Sequence, residues 1–219
     1  MKYRAIIFDM DGLILDTEII ESRSFEKLLK EYEVKPRPNP NGLIHEVGGG
    51  MKYFENFKEK YNLTESIENI RDKKRAFWAQ IVKEEGVVAF PGFLELLALL
   101  KKEGFKIALA SNRNDPFVHL VLDTLGAKEF FHLVVGSSNE KRKQKPFPDI
   151  YLHVAKELGI SPEQCVVLED SEAGVISAKA AGMKVIAIPN IYTKEHDFSR
   201  ADIIIKSLED INMELLENL

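Results

Sequence analysis

The chain has one cysteine, Cys165, and one tryptophan among its 219 residues. A lone thiol cannot close an intrachain disulfide, so a disulfide-stapled scaffold is excluded. Followed at once by Val166, Val167 and Leu168, Cys165 reads as a buried strand thiol rather than a nucleophile. Excess positive charge is missing too: 30 Lys and Arg stand against 35 Asp and Glu, a formal net charge of -5. Without a basic field, neither nucleic acid nor an anionic membrane surface is an expected partner. No apolar run approaches the roughly 20 residues of a membrane-spanning helix. Ile6-Ile7-Phe8 gives way to acids too soon for a secretion signal, so a cytoplasmic protein is expected. Internal repeats and low-complexity segments are also lacking. What remains is 45% hydrophobic and 30% charged residues, the make-up of a globular chain with one substantial core. The length fits one larger domain or one domain with an insert, and leaves the oligomeric state open, a monomer being compatible with it.

Short apolar segments recur at Ala5–Phe8, Lys106–Ala110, Leu133–Val135, 166–168, 185–188 and 203–205. From Phe93 onward they alternate with helical patterns, the signature of βαβ units and of a parallel sheet covered on both faces. Ser161-Pro162-Glu163-Gln164 reads as a capping box with proline at the first helical position. Asp115-Pro116 reads as a cap and first helical residue, and Gly182 as the end of a small-residue helix that begins near Ser171. Residues 17–87 differ. No strand signal interrupts them, and Phe25, Leu28, Leu29 and Tyr32 make one helical stripe, while Phe77, Trp78 and Ile81 sit on another amphipathic helix over residues 71–82. A Pro-Asn-Gly cluster over residues 36–42 breaks the first. The expected architecture is therefore α/β: a Rossmann-like, doubly wound parallel core over residues 1–16 and 88–219, with an α-helical cap inserted at 17–87.

In an open parallel sheet ligands bind beyond the carboxyl ends of the strands. The first strand runs into Asp9-Met10-Asp11-Gly12, the second into Ser111-Asn112-Arg113 and the fourth into Glu169-Asp170-Ser171, while Lys145-Pro146 precedes a helix. Singly, each is a common turn or loop. In this order and at strand ends, they point to one shared site. With Phe8, Asp16-Thr17-Glu18 and Gly174 added, the set resembles the haloacid dehalogenase superfamily, in its phosphatase and β-phosphoglucomutase-like branch with a small helical cap. The likeness covers nearly the whole chain and is specific for the superfamily, but not for a substrate.

The resemblance implies a phosphatase acting on small phosphorylated metabolites, sugar phosphates among them. Asp9 is the expected nucleophile, forming an aspartyl-phosphate intermediate. Asp9, Asp170 and Glu169 offer oxygens of the kind Mg2+ prefers, and the resemblance adds the backbone carbonyl of Asp11. Asp9 and Asp11, two apart in an extended segment, can face one phosphate. The side chain of Asp11 is then the general acid and base, a contribution of roughly 10²–10⁴-fold. Ser111, the Asn112 amide and Lys145 are expected on the phosphoryl group, Lys145 countering its charge. Lys141, Arg142 and Lys143 read as a solvated basic run. Gly12 and Gly174 are expected where the backbone approaches closely, and Ser171 as a helix cap.

Substrate contacts are expected from Thr17, Glu18 and Glu21 at the entry to the insert, from Gly49 and Lys52 around the triple glycine, and from Arg113. A phosphosugar mutase is the alternative. Such mutases resemble the chain in all four core motifs, but Glu21 stands where they have a phosphoryl-retaining histidine, and Met51 about where they place an arginine. Haloacid dehalogenation is disfavoured by Asp11 and Asp170. A receiver-like phospho-aspartate signalling module fits less well, because its accepting aspartate follows a later strand.

Overall fold

A computed structural model describes residues 2–39, 42, 51–139 and 141–219. In chain order the elements are β1 (Ala5–Phe8), α1 (Thr17–Glu31), α2 (Met51–Lys60), α3 (Ile67–Glu85), α4 (Phe93–Lys102), β2 (Lys106–Ala110), α5 (Asp115–Thr124), β3 (Leu133–Val135), α6 (Asp149–Leu158), β4 (Cys165–Glu169), α7 (Glu172–Ala180), β5 (Lys184–Ala187), β6 (Ile203–Ile204) and α8 (Met213–Glu217). Two compact units result: Met1–Asp16 with Val87–Leu219, and Thr17–Gly86, a division one residue before the expected 87/88 boundary.

The first unit is built on a six-stranded sheet, order β3-β2-β1-β4-β5-β6, every pairing parallel. Successive strands run outward from β1 to β3, then restart on its other side at β4. The topological switch point therefore lies between β1 and β4, where Ala5–Phe8 pair with 165–168. All four β1 residues are buried, as a central strand covered on both faces requires. Alternation sends Ala5 and Ile7 to the face where Ile150, Tyr151 and Val154 of α6 and Val175 and Ala178 of α7 pack. On the other face Phe8 meets the ring of Phe93, the first residue of α4, at 6.0 Å edge to face. Cys165 is wholly buried among these apolar residues, and burial pushes its thiol up to about 11, so it is no nucleophile.

Two helix starts differ from expectation. Residues 162–164 form a single 3-10 turn in which Ser161 makes no capping bond to the backbone, because β4 begins at Cys165 and leaves no room for a helix. Helix α5 has Asn114, not Asp115, in the cap position. The Asp115 carboxylate instead accepts from the amides of Gly136 (2.7 Å) and Ser138 (3.1 Å), tying the loop after β2 to the loop after β3. Ser171 does cap α7, accepting from the Gly174 amide at 3.2 Å.

The second unit is all helical. Phe25, Leu28 and Leu29 of α1 pack with Phe54 and Phe57 of α2 and Ile70 of α3, and the Phe25 and Phe57 rings lie 4.6 Å apart. Ser66 caps α3 by accepting from Asn69, and the chain leaves through Gly86 at φ 75°. Lys74 is buried here, its ammonium bonded to Glu21 and lying 5.2 Å from the centre of the Phe25 ring. Among the described residues no helix is long and apolar enough to cross a membrane.

Candidate active site

The site grows from the ends of β1, β4 and β2. Asp9 follows β1 and keeps its strand contact by donating its backbone amide hydrogen to the Leu168 carbonyl, 3.0 Å. Lys145 reaches it from the loop before α6, its backbone amide held by Asn112 Oδ1 at 3.1 Å. The Lys145 side chain is 4% exposed, and its ammonium donates three bonds: to Asp9 Oδ1 (2.5 Å), Glu169 Oε1 (2.7 Å) and the Ala110 carbonyl (2.9 Å). That uses all three of its protons. Burial works against the charged amine, but Asp9 and Glu169 outweigh it and hold the ammonium well above the usual lysine range.

Glu169 is fully buried. Its Oε1 takes Lys145 and the Tyr151 hydroxyl (2.6 Å), while Oε2 takes the Ser171 hydroxyl (3.1 Å) and the amides of Asp170 and Ser171 (3.2 and 3.3 Å). A Cβ on Gly174 would lie 1.9 Å from this carboxyl group, so only glycine admits it. Asp170, the next residue, accepts from Asn190 Nδ2 at 2.8 Å.

Asp9, Glu169 and Asp170 are all buried and offer ligand oxygens within 4.8 Å of one another. Burial, reinforced by Glu169 and Asp11 against the opposing Lys145, pushes Asp9 up to about 8. Burial, with Asp9 and Glu169, pushes Asp170 up to about 9. Three carboxylates around one ammonium are short of positive charge. All-oxygen donors around such a deficit fit a hard divalent cation. Because five protein donors already fill the lone pairs of Glu169, Asp9 and Asp170 are the members with oxygens to give.

Asp11 sits beside them. Its Oδ1 accepts from Arg113 Nε (2.8 Å) and lies 2.6 Å from Arg113 Nη2, while Oδ2 accepts from the Ser111 hydroxyl at 3.1 Å. Ser111 is fully buried and its Oγ also accepts the Arg113 amide, 3.0 Å. Asp9, Asp11, Ser111, Asn112, Arg113, Lys145, Glu169 and Asp170 are thus brought together in the first unit.

With this geometry in view, the sequence matches the family described as "Haloacid dehalogenase-like hydrolase" over residues 6–188. The chain belongs to this family. Among relatives of this haloacid dehalogenase-like chain, YhcW of Bacillus subtilis (strain 168), a supposed phosphatase, is 33% identical over 213 residues, 97% of this chain and 96% of its own. The β-phosphoglucomutase of the same organism is 30% identical over 219 residues, 97% and 93% of the two chains. Among solved structures, CbbY from Rhodobacter sphaeroides in complex with phosphate is 28% identical, covers 95% of this chain and 96% of its own, and superposes with a TM-score of 0.82. A variant of the same protein is known in complex with xylulose-1,5-bisphosphate, at 27% identity, 96% coverage of each chain and TM-score 0.82.

The cap candidates lie in the second unit. Thr17 is buried at the start of α1, Glu18 is half-buried, and Glu21 is paired with Lys74. Lys52 is exposed and 3.6 Å from Glu55. Gly49 lies outside the described residues. Arg113, expected to read substrate, is paired with Asp11. Arg142 departs from the solvated reading: it donates to the Gly136 carbonyl at 2.9 Å, and its Nε and Nη1 are buried.

Two residues of this haloacid dehalogenase-like site escaped the sequence reading. Tyr151, on the buried face of α6, looks like core in an apolar stripe, and nothing local reveals that its hydroxyl meets Glu169. Asn190 did carry a signal, a polar side chain just past the carboxyl end of β5.

Proposed function

We propose that the chain is a Mg2+-dependent phosphatase that hydrolyses small phosphorylated metabolites through an aspartyl-phosphate on Asp9. The observation that carries this reading is Asp9 at the switch point, with Lys145 on one oxygen and Asp170 beside it. Mg2+, held by Asp9 and Asp170, would neutralise charge between carboxylate and phosphate, which otherwise repel. Lys145 keeps Asp9 oriented and sets a positive charge where the equatorial phosphoryl oxygens gain negative charge. Asp9 bonds to phosphorus as the bond to the leaving oxygen breaks, and Asp11 gives that oxygen a proton. Water then attacks phosphorus as the bond from phosphorus to Asp9 breaks, Asp11 takes a proton from that water, and phosphate leaves. Ser111, now bonded to Asp11, is placed to turn its hydroxyl to the phosphoryl group.

The mutase reading has support in the β-phosphoglucomutase relative. Glu21 weighs against it. Where such mutases have a histidine, this chain has a carboxylate locked onto Lys74, which favours water as acceptor. The helical insert suits a cap that governs water access, with Thr17, Glu18, Glu21, Gly49, Lys52 and Arg113 as candidate substrate contacts. The inert buried thiol of Cys165 suits the cytoplasm.

The test is phosphate release from p-nitrophenyl phosphate and a panel of sugar phosphates with Mg2+. Hydrolysis is expected to vanish on chelation and to fall by about 10³-fold or more in Asp9→Asn. Hydrolysis at the wild-type rate in Asp9→Asn removes the nucleophile. Isomer formation from β-glucose 1-phosphate with a bisphosphate primer, and little free phosphate, decides for the mutase.

A further inference from the structure

Asn190 joins three loops. Its Nδ2 donates to Asp170 Oδ2 at 2.8 Å and to the Gly12 carbonyl at 3.0 Å, so one amide group spans the segments after β4 and β1. Its own loop fixes it: Oδ1 accepts from the amides of Tyr192 (2.8 Å) and Thr193 (3.2 Å), and its backbone amide donates to Thr193 Oγ1 at 3.0 Å. Both side-chain donors and both acceptor positions are in use, so the amide can sit in one orientation only. Gly12 leaves the space, at φ 82°. A Cβ there would come within 2.3 Å of Asp170 Oδ2 and 2.7 Å of Asn190 Nδ2.

The chemistry of the donor matters. Lys145 orients Asp9 and neutralises it in the same contact, whereas a neutral amide fixes one oxygen of Asp170 and leaves its charge to a cation. A carboxylate held in place this way has less orientational freedom to lose when it becomes a ligand.

From this we infer that Asn190 is a positioning residue that sets the affinity of the acidic cluster for its divalent cation. The inference rests on the cation-assisted reading above. Its test is direct binding of Mn2+ to the purified full chain, by calorimetry or by the loss of the free-ion electron paramagnetic signal, for wild type, Asn190→Ala, Asn190→Gln and Asp170→Asn. Asn190→Ala is expected to weaken Mn2+ by about 10–100-fold, with the Mg2+ concentration for half-maximal hydrolysis rising by the same factor. Asn190→Gln, which keeps the amide one methylene out of place, is expected to move in the same direction. A purely structural asparagine would lower the melting temperature of the metal-free protein and leave the Mn2+ constant where it was. A constant within about twofold of wild type in both variants overturns the inference. No Mn2+ binding by wild type, or undiminished binding by Asp170→Asn, is a different result and overturns the cation reading itself.

Discussion

The two ends of the sheet treat an acid in opposite ways. At the carboxyl edge, Asp9, Glu169 and Asp170 gather around the single ammonium of Lys145. At the amino edge, before β6, Asp202 alone takes two: Lys179 and Lys184, each at 2.7 Å, together with the Val185 amide at 2.9 Å. Burial would raise Asp202 as well, but these donors prevail and hold it below its ordinary range. Asp9 and Asp170 are pushed up to about 8 and 9. Residue type is the same and the shifts are opposed, because one acid is neutralised by the fold and the others are left for something the fold does not supply. A compensated acid supports the structure. An uncompensated one marks chemistry.

The comparison breaks most readily at Lys145. Lys145→Met leaves three buried carboxylates without a cation from the protein, and removes the charge that the proposed mechanism sets against the transferring group. Hydrolysis of p-nitrophenyl phosphate at saturating Mg2+ is expected to fall by about 10²–10³-fold, the usual cost of one preorganised charge partner. A variant retaining more than about a third of the wild-type rate would show that Asp9 works without it.

The next effect is on stability, and its sign differs between the two edges. Asp9 and Asp170 have folded values raised above 3.8, so the metal-free fold is favoured below that value, and the contribution is lost as pH rises toward 8 and 9. Melting of chelator-treated protein is therefore expected to drop steadily between about pH 5 and pH 9, and added Mg2+ to recover more at the alkaline end than at the acid end. Equal recovery at both ends would mean that the acids are ionised without a cation.

Legibility in the sequence followed the same divide. Strands β1, β2 and β3 coincide with their apolar runs: β1, and β2 after its exposed Lys106, are buried on both faces and have no polar position to blur them, while β3, a partly buried edge strand, is legible from its Leu-Val-Val run alone. Asp9, Asp11, Ser111, Glu169 and Asp170 were legible because they are acids and a hydroxyl that follow or end apolar strand runs, and Lys145 because its Lys-Pro pair stands just before a helix. What stayed hidden depends on contacts made across the fold. Tyr151 meets Glu169 from 18 residues away and Asn190 meets Gly12 from 178 away, and neither partner is written in the local pattern. The pairing of Glu21 with Lys74 joins α1 to α3 in the same way. Helix starts slipped where two capping residues stand side by side, as at Asn114 and Asp115, and the better hydrogen bonds went to the neighbouring loop.

The smallest effects belong to the amino edge and sharpen the contrast by being ordinary. Asp202→Asn loses two charge-assisted bonds, but Lys179 and Lys184 are about one-third exposed and can turn to water, so no buried charge is stranded. The expected loss is about 1–2 kcal/mol in denaturant unfolding near neutral pH. Lys184→Met leaves Asp202 its bond to Lys179, and a partly exposed ion pair contributes about 0–1 kcal/mol. Neither substitution should alter hydrolysis, since both groups lie at the opposite end of the strands from Asp9. The pH dependence runs against that of the site. The folded value of Asp202 is lowered, so its contribution is present above 3.8 and fades as pH falls through the folded value. Wild type and Asp202→Asn should therefore converge in stability on acidification. If the gap between them stays constant from neutral pH to about pH 2, the two lysines do not hold the charge of Asp202, and the difference between the edges is one of burial alone.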